Sequence, residues 1–346
     1  MAERFMTIPE IERAAQTVLP PGQYGYGAGG SETEMTLRRN RKALDRLAIR
    51  QRVLVDVREV DLSTTFLGMD LSLPIAIAPM GGLVLFNPQG DVEMVRGAGE
   101  SGTLAVVSGV TGWPVDEVAA AARGPLLFQL YHHGPRSWVQ DLLAKVEASG
   151  YKAVCLTVDV QLYSRRERDI EQRFDPRLAR VGTPNPAPPD STYPARLTWD
   201  DVAWLQEQLS IPLGLKGILT AEDARLAVQA GVKIIWVSNH GGRQLDQAQA
   251  TIAALPEIVE AVEGQAEIII DGGFRRGTDI VKGLALGANV VAMGRGMLWG
   301  LAADGAAGVN RTIELLRHEL TLALGLSGQT SIRGLKPSHI CQAEAD

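Results

Sequence analysis

A histidine and an arginine three residues apart, His240 and Arg243, stand in the segment Ser-Asn-His-Gly-Gly-Arg-Gln at 238–244. A neutral imidazole can accept a proton at neutral pH, and a guanidinium can bind a carboxylate through two parallel hydrogen bonds. A base and a carboxylate-binding cation are the groups needed to oxidise a small acid at the carbon beside its carboxyl group. Taken alone, a His-Gly-Gly-Arg motif is more often a turn at a strand end whose arginine faces solvent. The surrounding sequence favours the first interpretation.

Composition and charge argue against several classes of protein. The chain has 346 residues, a hydrophobic fraction of 45% and a net charge of −6, which is unsuited to binding nucleic acid. Two cysteines, Cys155 and Cys341, are too few for a disulfide framework or a zinc site, and we expect no metal. The sequence shows neither a signal peptide nor the ~20 consecutive apolar residues of a membrane span. We therefore expect a cytoplasmic protein that does not bind membranes.

Short apolar runs alternate with helical patterns from Pro74 onward. Each run is almost fully apolar, as expected of parallel strands whose outer face is covered by helices. Thr220 and Thr278 are predicted helix N-caps, and Gly231 and Gly287 follow the predicted helix ends. This succession predicts an α/β fold of the (β/α)₈ TIM barrel type with an N-terminal helical extension. The predicted strands cover 75–78, 104–107, 126–130, 153–157, 212–215, 234–237, 267–270 and 289–293.

The chain is predicted to form a single domain over 1–346. Residues 1–73 form an N-terminal extension of helices and a short strand pair that covers the floor or the side of the barrel. Residues 74–325 form the barrel, and 326–346 form a C-terminal tail. A proline-rich, largely polar excursion at 172–198 follows the fourth strand, and we expect it to be a lid or to be disordered.

Polar residues and glycines recur at the predicted carboxyl ends of the strands, which converge on one site in this fold. Lys216 is unusual because it ends an apolar strand, although alone it is equally compatible with a surface position. Ser108, Gln129 and Thr157 would each also serve to satisfy backbone groups. Recurrence at every strand end favours a shared site composed of Pro79, Met80, Gly81, Ser108, Gln129, Tyr131, Thr157, Asp159, Lys216, Ser238, His240, Asp271, Gly272, Gly273, Gly294, Arg295 and Gly296.

The last two strand ends carry a phosphate-binding pattern. Gly272 and Gly273 follow the seventh strand, and Gly294 follows the eighth. Glycines at these places let backbone amides approach a phosphate closely, and Arg275 or Arg295 would neutralise its charge. The pattern predicts a phosphate-bearing cofactor over the barrel mouth. No Gly-x-Gly-x-x-Gly loop follows a strand, which argues against a nicotinamide cofactor on a Rossmann unit.

From Tyr24 to Ile340 the chain resembles the FMN-dependent 2-hydroxy acid oxidases and dehydrogenases. The segment 238–244 is that family's most specific signature. Supporting matches are Phe-Gln-Leu-Tyr at 128–131, Leu-Lys-Gly-Ile-Leu-Thr-Ala-Glu-Asp-Ala at 215–224, Asp-Gly-Gly-Phe-Arg-Arg-Gly-Thr at 271–278 and Leu-Ser-Gly-Gln-Thr-Ser-Ile at 326–332. The resemblance implies bound FMN, oxidation of an L-2-hydroxy acid to a 2-oxo acid, reoxidation by O₂ or another electron acceptor, and a homotetramer.

The resemblance also implies a role for each site residue. His240 takes the proton, either from the substrate hydroxyl with hydride transfer or from the α-carbon in a carbanion route, and Asp159 orients it. Lys216 lies near N1 and O2 of the flavin and stabilises the reduced ring. Arg166 and Arg243 bind the substrate carboxylate. The remaining implied roles are substrate binding by Tyr26 and Tyr131 and cofactor binding by Pro79, Met80, Gly81, Ser108, Gln129, Thr157, Ser238, Asp271, Gly272, Gly273, Arg275, Gly294 and Arg295.

Two predicted substrate-pocket positions are smaller than is usual in the family. Gly81 stands where alanine is usual, and Val110 falls where a bulky residue is frequent. The added space predicts a substrate larger than glycolate or lactate, with an aromatic or branched side chain as in mandelate. Two alternatives remain, a flavin enzyme acting on an amino acid or peptide-derived metabolite and a barrel that binds a phosphorylated ligand without redox turnover. The adjacent His132 and His133 are interpreted as loop residues rather than metal ligands.

Overall fold

The computed structural model describes residues 4–176 and 192–343 and begins with a largely helical extension. Thr7 accepts a hydrogen bond from the amide of Glu10 and so caps the first helix. Ile11 and Ala15, one turn apart on that helix, are buried. The elements of the extension are α1 (Ile8–Val18), α2 (Pro21–Ala28), α3 (Met35–Asp45), β1 (Leu47–Ile49), β2 (Thr64–Phe66) and β3 (Met69–Leu71).

Eight parallel strands follow and close into a barrel, which confirms the predicted (β/α)₈ fold. Seven strands pair with the next strand along the chain, and the last pairs with the first. The largest boundary difference is in the fifth barrel strand, which continues past Leu215 to Ile218 with a register shift at Gly217. The strands are β4 (Ile75–Ile77), β5 (Leu104–Ser108), β6 (Leu126–Leu130), β7 (Val154–Thr157), β8 (Leu213–Ile218), β9 (Ile234–Val237), β10 (Glu267–Ile270) and β11 (Val290–Met293).

Helices alternate with these strands and cover the outside of the barrel. Thr220 is an N-cap as predicted, because its hydroxyl accepts the amide of Asp223 at 3.2 Å. The prediction for Thr278 is wrong, since that helix already begins at Gly277 and the Asp279 carboxylate accepts the backbone amides at its start. The helices are α4 (Gly90–Glu100), α5 (Val115–Ala121), α6 (Arg136–Ala148), α7 (Glu167–Glu171), α8 (Trp199–Gln208), α9 (Ala221–Gln229), α10 (Thr251–Val262), α11 (Gly277–Ala285) and α12 (Arg295–Leu326).

The hairpin of β2 and β3 closes the floor of the barrel. Phe66 and Leu71 are 0% and 2% exposed. They belong to one buried cluster with residues of the barrel interior, among them Trp236 and Ile269. The interior is therefore a packed core and not a channel, as is usual for this fold. This part of the extension covers the floor, as predicted.

Helix α2 lies at the opposite end, at the barrel mouth. Arg243 donates to the backbone oxygens of Tyr26 and Gly29 at 2.6 and 2.8 Å. Arg295 donates to the backbone oxygen of Gly27 at 3.1 Å. The extension therefore reaches the mouth of the barrel, where Tyr26 was predicted, as well as its floor. The two arginines bind main-chain carbonyl groups of this segment, which a pattern of side chains does not reveal.

A strand near the end of the chain was not predicted. This strand, β12 (Ile340–Gln342), pairs antiparallel with β1, with Leu47 opposite Gln342. It follows α12, which is interrupted at Asp304 and Gly305 by non-helical backbone. Both paired strands are three residues long, too short for an alternating pattern to be visible.

Among the described residues, we find no helix with the length and apolar character needed to cross a bilayer.

The predicted excursion at 172–198 lies partly outside the described residues, which omit 177–191. Its first described end contacts α2, where the ring centroids of Phe174 and Tyr26 are 5.8 Å apart. Its second described end places the ring of Tyr193 6.1 Å from that of His132. Both described ends therefore reach the mouth of the barrel. The assignment of this segment as a lid stays a prediction.

Asp91 on α4 is a buried carboxyl group that supports the loop after β5. It is 2% exposed, and its Oδ2 accepts the amide of Gly112 at 3.2 Å. Burial raises the pKa of Asp91 to about 6, because the low-dielectric surroundings disfavour the charged form. Its protonated form is thus favoured in the folded chain. The stability that this group contributes is complete below about pH 4 and is lost as the pH rises through about 6.

We expect the substitution Asp91→Asn to increase stability at alkaline pH. Asparagine keeps an oxygen acceptor for Gly112 but cannot ionise, so the free energy of unfolding should rise by up to about 3 kcal/mol near pH 8. Near pH 4 the difference should be small, since Asp91 is then protonated as well. Urea unfolding of the two proteins at both pH values measures the effect. An equal change at both pH values would show that ionisation of Asp91 does not limit stability.

Candidate active site

His240 and Asp159 form a hydrogen-bonded pair at the barrel mouth. Nδ1 of His240 lies 3.0 Å from Oδ1 of Asp159, and the two side chains are 19% and 14% exposed. Burial lowers the pKa of His240, although the carboxylate opposes this effect, so the imidazole is neutral at neutral pH. Burial alone would raise the pKa of Asp159, but His240 and Lys216 hold it below its usual value. The pair offers Nε2 as a proton acceptor and a carboxylate that can stabilise the imidazolium.

The turn that carries His240 has left-handed backbone conformation at successive residues. The angle φ is +57° at His240, +63° at Gly241 and +75° at Gly242. Glycine adopts this region freely, whereas a histidine there is strained and must be held by its surroundings. A Cβ on Gly242 would lie 2.5 Å from the backbone nitrogen of Leu37 on α3. The two glycines of the motif therefore serve the shape of the turn and its contact with the extension.

A pair of asparagines holds this turn, and neither was predicted from the sequence to do so. The side-chain amides of Asn40 and Asn239 exchange hydrogen bonds of 2.9 and 2.7 Å. Oδ1 of Asn239 also accepts the amide of Gly242 at 3.2 Å. The two asparagines are 1% and 4% exposed. Asn239 could have been found from its place in the 238–244 segment, but Asn40 lies on a polar helix and has no comparable signal.

Two guanidinium groups meet at the ring of Tyr26. The guanidinium carbon of Arg243 is 4.8 Å from the ring centroid, and that of Arg166 is 5.8 Å from it. Burial, followed by the charge of Arg166, lowers the pKa of Arg243. Among the described residues, Arg166 makes one side-chain hydrogen bond, from Nε to Ser164 at 3.3 Å. Terminal N–H groups therefore remain for an anion, and a carboxylate would relieve the repulsion between the two cations.

Several buried polar atoms near the strand ends have no hydrogen-bond partner among the described residues. They are Nε2 of Gln129, Oγ1 of Thr157 and Oδ2 of Asp159. The other amide atom of Gln129 accepts the hydroxyl of Ser108 at 3.0 Å. An unpaired buried polar group costs about 1–3 kcal/mol, so the cluster indicates a polar ligand at the mouth. The donors and acceptors suit an isoalloxazine ring, which presents carbonyl oxygens and ring nitrogens along one edge.

Lys216 points into the barrel mouth and is only 4% exposed, which rules out a surface position. Its Nζ donates to Oγ of Ser238 at 3.0 Å and lies 3.6 Å from Oδ2 of Asp271. Oγ of Ser238 also accepts the backbone amide of His240 at 3.0 Å. The next residue, Gly217, has φ of +117°, and a Cβ there would lie 2.7 Å from Cβ of Asp159. In β8, Lys216 thus supplies a buried cation, and the next residue, Gly217, leaves the space that the Asp159 side chain occupies.

The glycines predicted to bind phosphate differ in their surroundings. Gly272 and Gly273 have φ values of +101° and +87°, and an added Cβ would lie 2.7 Å from Thr251 or 3.0 Å from the backbone of Asn40. Packing against the protein therefore already requires glycine at both positions. At Gly294 the nearest heavy atom to an added Cβ is 3.6 Å away. The backbone after β11 is thus the more open of the two places for a phosphate.

Arg295 and Arg275, the two predicted phosphate ligands, are placed differently. Arg295 donates to the backbone oxygens of Gly27 and Gly29 at 3.1 and 2.8 Å. Burial lowers its pKa to about 9, and the charges of Arg243 and Arg275 act in the same direction. Arg275 is exposed. A phosphate beside these arginines would stabilise the charged form of Arg295, so the residues present fit the phosphate end of FMN.

Gly81 and Val110 contact each other on one wall of the mouth. A Cβ on Gly81 would lie 3.1 Å from Cβ of Val110 and 3.7 Å from Oγ of Ser108. Ser108 also accepts the amide of Val110 at 3.2 Å. Pro79 and Met80 follow β4 on the same rim. The two small residues predicted to enlarge the substrate pocket are therefore neighbours, beside a serine predicted to bind the flavin.

Tyr131 lies at the end of β6, followed by two histidines that contact aromatic rings. The rings of Tyr131 and His133 are stacked, with centroids 5.0 Å apart and planes 3° apart. The ring of His132 lies 6.3 Å from that of Trp204, and burial lowers its pKa. Within the described ranges, no group of three or more His, Cys, Asp and Glu residues is placed to hold a metal ion.

A barrel mouth that combines a buried base, a pair of guanidinium groups and unpaired amide and hydroxyl groups defines a flavin-dependent oxidoreductase. A profile of the FMN-dependent dehydrogenase family matches residues 15–342. The chain belongs to this family, and its cofactor is FMN. When bound, FMN supplies the ring that accepts two electrons from the substrate.

The similar proteins are 2-hydroxy acid oxidases. Glycolate oxidase 3 of Arabidopsis thaliana is 42% identical over 349 residues, which cover 96% of this chain and 95% of the relative. L-lactate oxidase of Nostoc sp. is 44% identical over 353 residues, 96% of each chain. A mandelate oxidase structure with (S)-2-phenylpropionate has a TM-score of 0.88 and 37% identity, with 98% of each chain covered. The chain is thus an FMN-dependent enzyme of 2-hydroxy acid oxidation.

Proposed function

We propose that the enzyme oxidises an L-2-hydroxy acid larger than glycolate or lactate, with an aromatic side chain as in mandelate. Val110 carries this proposal, because a valine stands at the wall where the substrate side chain is predicted to lie and a bulky residue is frequent in the family. Gly81 lets Val110 lie close to the backbone, since a Cβ at 81 would lie 3.1 Å from Cβ of Val110. The solved mandelate oxidase structures support it through their shared fold. An enlarged apolar pocket favours a larger substrate, since each added group gains burial.

Other residues of the site bind the substrate carboxylate and accept its proton. Arg166 and Arg243 bind the substrate carboxylate and place the α-carbon over the flavin site. Tyr26 lies against both guanidinium groups and assists them. Tyr131 binds the substrate oxygen. His240 accepts the substrate proton at Nε2, from the hydroxyl or from the α-carbon, and the hydrogen bond from Nδ1 to Asp159 stabilises the resulting imidazolium.

A further group of residues binds FMN at the barrel mouth. Gln129 and Thr157 satisfy their unpaired atoms on the ring edge, and Ser108 and Ser238 lie beside them. Lys216 stabilises negative charge on the ring, and the phosphate end is held near Asp271, Gly272, Gly273, Arg275, Gly294 and Arg295. We further propose reoxidation by O₂ or another acceptor, a homotetramer and a cytoplasmic location. The relatives that are oxidases support O₂, the family resemblance supports the tetramer, and composition supports the location.

Substrate preference tests the proposal. Anaerobic mixing of FMN-loaded enzyme with L-mandelate is expected to bleach the flavin band, with a higher kcat/KM than for glycolate. Val110→Trp fills the space and should lower kcat/KM for mandelate by about 10–100-fold while affecting glycolate less. Val110→Ala keeps the space open and serves as the matched control. A clear preference of the unmodified enzyme for glycolate would refute the large-substrate proposal.

A further inference from the structure

Trp236 places a hydrogen-bond donor inside the barrel, directly beneath the polar cluster of Lys216. The side chain lies on β9 and is 0% exposed, in the same buried cluster as Phe66 at the floor. Its indole Nε1 donates to Oδ2 of Asp271 at 3.0 Å. Most of this interior layer is aliphatic, so packing alone does not require an indole N–H here. From the sequence, Trp236 was predicted only to be part of an apolar strand.

The hydrogen bonds of Asp271 separate its carboxylate from Lys216. Oγ of Ser238 lies 2.8 Å from Oδ1 and 3.0 Å from Oδ2, and its single proton goes to one of them. Trp236 provides the other donor, on Oδ2. The Lys216 ammonium remains 3.6 Å from Oδ2, beyond hydrogen-bond distance, and bonds to Ser238 instead. Lys216 also lies 5.5 Å from the centroid of the Trp236 ring, within the range of a cation–π contact.

We propose that Trp236 is a positioning residue that keeps Lys216 from forming a direct hydrogen bond to Asp271. With the indole N–H on Oδ2 and the Ser238 proton on Oδ1, each carboxylate oxygen has a donor without a hydrogen bond from the ammonium. The positive charge of Lys216 then stays directed at the mouth, where it stabilises negative charge on the bound flavin. In a buried site of low dielectric, a change of less than one ångström in such a pairing alters the electrostatic potential appreciably.

Removal of the indole N–H should therefore weaken the stabilisation of an anionic flavin. In Trp236→Phe, Asp271 keeps only the single proton of Ser238, whose Oγ lies 2.8 and 3.0 Å from the two carboxylate oxygens and cannot donate to both. The next donor is Lys216, which would close the gap of 3.6 Å to Oδ2 and direct its charge to Asp271. Stability and FMN content alone would not reveal this, because any loss of volume in the core would lower both.

Sulfite provides a readout that does not depend on turnover. Its lone pair forms a bond to oxidised flavin, the ring takes up the negative charge, and the visible absorbance bleaches. A titration of FMN-loaded enzyme with sulfite thus measures how well the site stabilises an anionic ring. We expect the sulfite Kd of Trp236→Phe to be at least about tenfold higher than that of the unmodified enzyme, from the loss of one hydrogen bond to a charged group.

Two further variants distinguish the effect of the indole N–H on the sulfite Kd from the effect of the ring's volume. Benzothienylalanine at position 236 keeps a bicyclic ring but replaces the N–H by sulfur, and it should raise the sulfite Kd as Trp236→Phe does. Trp204→Phe removes an indole that packs on His132, outside the Lys216 cluster, and should leave the Kd unchanged. An unchanged Kd with the benzothienyl side chain, or an equal rise in Trp204→Phe, would overturn the proposal. Because no hydroxy acid is used, neither result depends on which substrate the enzyme prefers.

Discussion

Replacement of His240 by glutamine is expected to slow the reduction of bound FMN by an L-2-hydroxy acid by about 10²–10⁴-fold, the usual contribution of a general base. Glutamine can still hydrogen-bond to Asp159 but cannot accept a proton. Anaerobic stopped-flow measurement of flavin bleaching gives the rate. His318→Gln, at an exposed histidine on α12, is the matched control and should leave the rate unchanged.

The pH profile provides a second check on the base. Since burial lowers the pKa of His240 below the ordinary value of 6.5, the imidazole should remain neutral down to mildly acidic pH. We expect kcat/KM of the unmodified enzyme to fall only as the pH drops through a value below 6.5, as protonation removes the base. A rate that falls by less than a few fold in His240→Gln, with the acidic limb still present, would assign the proton transfer to another group.

The substitution Arg166→Met should lower kcat/KM by about 10²–10³-fold, mainly through a higher KM, because one partner of a buried charge pair is lost. Arg166 is 8% exposed and points at the ring of Tyr26 beside Arg243. The neighbouring residue offers a matched control, since the Arg165 side chain is 65% exposed and pairs with Glu167 at the surface.

Steady-state kinetics of Arg165→Met and Arg166→Met with the same hydroxy acid measure the difference. Arg165→Met should leave kcat/KM within about twofold of the unmodified value, as expected of an exposed ion pair. Arg166→Lys should recover only part of the loss, because an ammonium cannot bind a carboxylate with two parallel hydrogen bonds. Equal effects of the two methionine variants would show that Arg166 does not bind the substrate carboxylate.

The barrel and most of the strand-end residues could be predicted from sequence because each depends on local patterns. Parallel strands buried on both faces are continuous apolar runs, and the first residues beyond them are brought together by the closure of the sheet. Lys216 and Asp159 were found in this way. Their positions near the predicted strand ends were sufficient to predict that they share one site, although they are far apart along the chain.

The features that were missed are contacts between backbone or side-chain amides far apart in the chain. Asn40 pairs with Asn239 through side-chain amides alone, and α2 is held at the mouth through the backbone oxygens of Tyr26 and Gly29. Neither interaction is accompanied by a periodic pattern of apolar residues, so neither could be predicted from the sequence. Thr278 was misassigned because the helix begins one residue earlier, at Gly277, and the Asp279 carboxylate accepts the amides of Arg275 and Arg276 that precede it. The partners of Asn40 and of the backbone oxygens of Tyr26 and Gly29, by contrast, are decided by tertiary packing and not by local sequence.

The link between Asn40 and Asn239 has a consequence for how the enzyme acquires activity during synthesis. The two residues are 199 positions apart, so α3 is made long before the turn that it supports. Asn40 also lies against the Gly273 turn, which is made later still. A growing chain can form its first strands early, yet the support that Asn40 gives to the His240 turn is made only after Asn239 has been added. We therefore expect the turn that carries His240 to reach its native shape late, well after α3 and the first barrel strands have formed.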